Sequence, residues 1–92
     1  MESEFDKTLK EMLKDPDFRR HYTKEKTKLE VALQLAELRK RRNLTQTQLA
    51  RKINSSQSVI ARIENGRQNL SLRTIENIVN ALGGKIHVSI ME

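Results

Sequence analysis

The 92-residue sequence has no cysteine, no tryptophan, one proline and only three aromatic residues, Phe5, Phe18 and Tyr22. Without cysteine there is no disulfide frame and no thiolate metal site, and nothing points to an oxidising compartment. Long hydrophobic runs are also missing. The longest are three residues, as in Val31-Ala32-Leu33, where a membrane-spanning helix needs about 20. The first ten residues hold Glu2, Glu4 and Asp6, which is not the composition of an export signal. Neither a span nor a signal is therefore expected, and the expected location is the cytoplasm. A chain of this length forms one compact domain that buries only about 60–65% of the surface its unfolded form exposes. That leaves little room for a deep substrate pocket.

The parts of an enzyme are absent as well. Gly83-Gly84-Lys85 lacks the spacing and the Ser or Thr of a phosphate loop, and His21 and His87 stand far apart in the chain without companion ligands. Asp15 and Asp17 flank Pro16, where capping and helix-dipole stabilisation explain them. No catalytic residue, metal site or cofactor is expected, and no small-molecule ligand is evident.

What the chain has is positive charge, and it is unevenly placed. The net charge is +6. Residues 1–28 hold eight Lys or Arg against seven Asp or Glu, residues 29–84 hold nine against four, and residues 85–92 hold one of each. Almost all the surplus lies in the middle segment, as a polyanion-binding surface requires.

Hydrophobic periodicity divides the chain into short helices. Phe5, Leu9, Met12 and Leu13 lie on one stripe, with Ser3 as a candidate N-cap. Asp15-Pro16 opens a second helix, in which Phe18 and Tyr22 are four residues apart. From about Leu29 to Arg42 a longer helix carries two apolar stripes, one with Val31, Leu35 and Leu38 and the other with Leu29, Leu33 and Ala36. It therefore needs two packing partners. Thr45 with Gln48 makes a capping box for a helix ending near Asn54, and Ser56 caps a further helix that stops at Asn65-Gly66. Ser71 or Asn69 starts a last helix that ends at Gly83-Gly84. Ile86, Val88 and Ile90 then alternate with polar residues, so 85–92 is expected to hold a short β-strand. A lone strand needs a partner for its hydrogen bonds, either its own copy in a homodimer or another protein's edge, unless it is a tail lying on its own helices. The expected organisation is an N-terminal helical extension over 1–28, a DNA-binding domain over 29–84 and the C-terminal strand over 85–92.

Two short helices separated by two or three residues, at Thr45–Asn54 and Gln57–Asn65, form the arrangement in which the second helix enters the major groove of DNA. Their N-termini present free amides that attract phosphate, which makes Gln46 and Ser56 candidate phosphate contacts. Arg51 and Lys52 add general attraction or simply face solvent. The run from Leu38-Arg39 through Asn-Leu-Thr-Gln-Thr-Gln-Leu-Ala at 43–50 and Ser-Gln-Ser-Val-Ile-Ala-Arg-Ile-Glu-Asn-Gly at 56–66, continuing to Ala-Leu-Gly at 81–83, resembles the phage-repressor-like (XRE) helix-turn-helix family. That resemblance implies an all-α, lambda-repressor-like bundle. It implies that Gln57, Ser58 and Arg62 read bases, that Asn65 and Arg67 touch the DNA backbone, and that Arg39 and Glu64 form an internal ion pair. The chemistry of the trio agrees: Gln suits adenine, Arg suits guanine and Ser serves either.

The segments outside that core separate two kinds of repressor. Asp-Pro-Asp-Phe-Arg-Arg-His-Tyr at 15–22, the long helix, the helix-turn-helix and Gly-Gly-Lys-Ile-His-Val-Ser-Ile at 83–90 together resemble HigA-type antitoxins. That likeness implies a HigB toxin of the RelE-like ribonuclease kind as partner, autorepression at an inverted-repeat DNA operator, and a homodimer that joins the toxin in a heterotetramer. Phe5, Leu9, Met12, Leu13, Phe18 and Tyr22 are then candidates for the toxin-facing surface, unless they only pack against Leu29 and Leu33. Ile86, Val88 and Ile90 are candidates for dimerisation. The alternative is a stand-alone transcriptional repressor with no toxin partner, and a third class, an interaction module without specific DNA, is disfavoured by the helix-turn-helix chemistry.

Overall fold

The computed structural model describes residues 3–92, so the first two residues of the expected 1–28 extension lie outside the described residues. Among the described residues six helices follow one another: α1 (Glu4–Met12), α2 (Pro16–Lys24), α3 (Lys26–Arg41), α4 (Gln46–Lys52), α5 (Gln57–Glu64) and α6 (Leu72–Ala81). None is long and apolar enough to cross a membrane.

Their starts are set by side chains that satisfy amides left unpaired at a helix N-terminus. Ser3 and Asp6 form a reciprocal capping box on α1, Thr45 and Gln48 do the same on α4, and Asp15 accepts from Asp17 with Pro16 in the first turn of α2. Ser56 caps α5 and Ser71, rather than Asn69, caps α6. α3 is the exception. Its N-cap, Glu25, makes no side-chain capping bond, and the helix begins at Lys26, three residues before the first apolar position that marks it in the sequence. The expected 28/29 division thus falls inside α3.

The core lies between α3, α4, α5 and α6, where Leu35, Leu49, Ala50, Ile60, Ile63, Ile78, Val79 and Leu82 cluster. Fully burying each of the larger side chains is worth about 1.5–3 kcal/mol. The second face of α3, with Leu29, Ala32, Leu33 and Ala36, is buried too. There α1 and α2 pack against α3, and Met12 and Phe18 share a cleft with Leu29 and Leu33. Both partners that the two-faced helix demands come from its own chain. Phe5, Leu9, Met12, Leu13, Phe18 and Tyr22 are all half-buried. Phe18 and Tyr22 stack at 6.0 Å, and the Tyr22 hydroxyl donates to Glu30 Oε1 at 2.8 Å, tying α2 to α3. Burial, then the bond to Glu30 and its negative charge, raise the Tyr22 pKa above its ordinary value of 10.0.

Gly66 ends the α5 region with φ of 68°. A Cβ there would also stand 2.3 Å from Leu29 Cδ2, so backbone conformation and packing both require glycine.

The expected C-terminal β-strand is not present: among the described residues there is no strand, and residues 85–92 carry no regular secondary structure. Alternating side chains make a strand only where a neighbouring strand supplies the ladder, and the described residues offer none. Ile86 and Val88 border a groove of about 500 Å³ with Leu38, Ile75 and Val79, while Ile90 is 92% exposed.

Candidate nucleic-acid interface

α4 and α5 are joined by four residues, with Asn54 in the left-handed region at φ 53°. Asparagine tolerates that conformation at a tight corner. Ile60 and Ile63 on α5, at 1% and 2% exposure, anchor it in the core beside Leu49 of α4. The anchored face fixes the opposite one: Gln57, Ser58 and Arg62 are all exposed on the same short helix.

The sequence-expected ion pair is present. Arg39 Nε donates to Glu64 Oε2 at 2.7 Å, Nη2 donates to Glu64 Oε1 at 2.9 Å, and Nη1 donates to the Leu44 carbonyl at 2.7 Å. The two side chains are 10% and 7% exposed. This fork clamps α3 to the end of α5 and to the loop before α4. Its planar, two-bond geometry is specific to arginine.

The network continues outward. Gln46 Nε2 donates to Glu64 Oε1 at 3.0 Å, and Gln57 Nε2 donates to Gln46 Oε1 at 2.6 Å. A continuous chain of polar contacts therefore runs from buried Arg39 to exposed Gln57, the first residue of α5. Gln46, a phosphate-contact candidate on sequence grounds, is half-buried and engaged at both ends of its amide. Sequence reasoning missed this link and the Leu44 carbonyl. The available signal was that Gln46 and Gln57 each occupy the first position of adjacent helices in a helix-turn-helix.

The remaining candidates divide by position. Ser56 Oγ accepts from the Val59 amide at 3.3 Å and lies 3.1 Å from Ser58 Oγ, so its capping role is occupied. Asn65 is the exposed C-cap of α5, and Arg67 follows it, exposed. Arg51 and Lys52 are exposed in the last turn of α4. Gln57, Ser58, Arg62, Asn65 and Arg67 thus lie on or directly after one helix. Phe5 through Tyr22 lie on α1 and α2, and Ile86, Val88 and Ile90 lie in the C-terminal segment. Among the described residues no group of three or more His, Asp or Glu is placed to hold a metal ion.

The face combines donors and acceptors of Gln and Ser with the fork of an Arg on the exposed side of one helix, which is the chemistry that reads base edges in a major groove. A helix-turn-helix family profile matches residues 35–88. The immunity repressor protein of Bacillus phage phi105 is 44% identical over 62 residues, which is 67% of this chain and 43% of that protein. The chain spans less than half the length of that relative. No solved structure matches.

Proposed function

The chain belongs to the helix-turn-helix family of DNA-binding regulators, and on that premise we propose that it is a transcriptional repressor that binds a double-stranded operator through α5. The observation that carries this reading is the two-sided character of α5, whose Ile60 and Ile63 are buried while Gln57, Ser58 and Arg62 are exposed. Gln57, Ser58 and Arg62 read bases; Ser56, Asn65 and Arg67 hold the phosphate backbone, the last with charge and the others through polar groups near helix ends, while Gln46, whose amide is engaged by Glu64 and Gln57, acts within the fold.

A stand-alone repressor is favoured over an antitoxin. The similarity to a phage immunity repressor supports it, and so does the packing of the half-buried α1 and α2 stripes against α3, which gives those residues a role that needs no toxin. The chain acts as a homodimer, with the exposed apolar side chains of Ile86, Val88 and Ile90 against a second copy. These three are 41%, 66% and 92% exposed. Its two α5 helices then meet an inverted repeat with half-site centres about 10 base pairs apart.

The test is selection of randomised duplex DNA by the purified chain, followed by a reporter whose promoter carries the enriched site. An enriched inverted repeat that silences the reporter when the chain is expressed supports the reading. Enrichment of no sequence refutes it. A small growth-halting protein that co-purifies in near-equal amount restores the antitoxin reading, and sedimentation as a monomer at micromolar concentration removes the dimer.

A further inference from the structure

The charge of the N-terminal extension, nearly balanced as a whole, is split along its length. Residues 1–17 hold three Lys against six Asp or Glu, whereas residues 18–28 hold five Lys or Arg against one Glu. Three of those five, Lys24, Lys26 and Lys28, line a cleft of about 700 Å³ between the α2–α3 junction and the connection from α5 to α6, which contributes Asn69 and Leu70. Lys24 and Lys26 are exposed, Lys28 is half-buried, and none of the three forms an ion pair among the described residues. The cleft thus sets three ammonium groups against one half-buried carboxylate, Glu25. Fold stability does not account for this charge. Lys26 and Lys28 stand in the first turn of α3, which holds no acidic residue although the helix dipole favours one there.

The positive surplus adjoins the proposed backbone contacts. Asn69 lies two residues beyond Arg67 on the same connection, so the cleft continues from where Asn65 and Arg67 leave α5. Asp15 and Asp17 border a separate cleft with Asn65 and Arg67, which makes the start of α2 a poor path for phosphate. The cationic path from Arg67 leads instead to the lysines. Phosphates follow one another about every 3.4 Å of axis on one strand of a duplex, so a backbone that rests on Arg67 brings further phosphates along with it. We infer that the α2–α3 junction is a second DNA-binding surface: Lys24, Lys26 and Lys28 take duplex phosphates next to those held by Asn65 and Arg67. They add affinity and no sequence preference, because contacts to phosphate carry no base information. This role for the extension rests on the DNA-binding reading above and deepens it.

The test is the salt dependence of duplex binding by the full chain and by a variant combining Lys24→Gln, Lys26→Gln and Lys28→Gln, with melting temperature checked for each. A control of equal charge loss, combining Lys7→Gln, Lys10→Gln and Lys14→Gln, removes the lysines of residues 1–17 instead. Each phosphate neutralised contributes about 0.9 to the slope of log affinity against log salt. The cleft variant should therefore lower the slope by about 2.7 and bind about 10²-fold more weakly at about 0.15 M salt, with wild type and variant converging near about 1 M. It should enrich the same sequence from randomised duplex as the wild type does. The control should move the slope by less than about 0.5, under the value of one phosphate. If the combined cleft variant unfolds, the three single variants decide, each expected to lower the slope by about 0.9. A slope within about 0.5 of wild type, an equal fall in the control, or a changed enriched sequence overturns the inference while the DNA-binding reading stands. A wild type that binds no duplex overturns both.

Discussion

Replacing Glu64 by alanine is the severest single perturbation of the polar network. The substitution removes both acceptors of the Arg39 fork and the anchor of Gln46, and leaves a guanidinium of 10% exposure holding only the Leu44 carbonyl. Stranding one member of a buried pair costs about 3–5 kcal/mol, because the remaining charge keeps its desolvation cost without its partner. An exposed pair would cost about 0–1 kcal/mol. The total stability of a 92-residue domain is about 5–14 kcal/mol, so Glu64→Ala removes a large share of it. At about 4–8 °C per kcal/mol for a domain of this size, the melting temperature should fall by about 12–40 °C. The assay is thermal and urea denaturation followed by far-ultraviolet circular dichroism. The companion double variant Arg39→Met, Glu64→Leu replaces the pair with apolar side chains and should recover most of the loss, since the stranded charge is gone. A Glu64→Ala loss below about 1 kcal/mol would refute the reasoning, as it would place the pair in the class of surface contacts.

Arg62→Ala should weaken operator binding by about 1–3 kcal/mol and relax preference at one base, while Arg67→Ala should weaken all sequences alike and lower the salt slope by about 1; equal weakening on all sequences by Arg62→Ala would reassign it to the backbone. Gly66→Ala should destabilise by about 2–5 kcal/mol, from left-handed backbone strain and overlap with buried Leu29, and a melting temperature within 2 °C of wild type, below about 1 kcal/mol, would contradict that. Tyr22→Phe should cost about 1 kcal/mol at neutral pH through the lost bond to Glu30. Because the fold raises the Tyr22 pKa, that contribution is complete below the ordinary value of 10.0 and vanishes as pH climbs through the folded value. The melting-temperature gap between wild type and Tyr22→Phe should therefore be constant from about pH 7 to 9 and close above about pH 10; a gap that persists at the alkaline end would disprove the linkage.

The features that sequence reasoning reached are those decided within a few residues. Ser3, Asp15, Thr45, Ser56 and Ser71 cap helices because a short oxygen-bearing side chain and an amide two or three positions on are neighbours by construction. The two stripes of α3 foretold two packing partners for the same reason of periodicity. The Arg39–Glu64 contact, 25 residues apart, was reached through family resemblance, since spacing alone does not bring those two together. The start of α3 was hidden because Glu25 makes no capping bond and no turn composition separates it from α2. The C-terminal alternation Ile86, Val88, Ile90 is a local pattern, but a strand is a relation between two segments, and one copy of this chain supplies only one. The Gln46 link escaped because it depends on where α4 and α5 sit relative to each other, which no local signal encodes.

The central claim is that α5 confers sequence-specific binding, and the most direct measurement is fluorescence anisotropy of the purified chain on its selected duplex and on a scrambled duplex of the same composition, at one physiological salt concentration. The account predicts that the selected site binds at least about 10³-fold more tightly than the scrambled one. Equal affinities, falling together as salt rises, would reduce the chain to a general polyanion binder and contradict it.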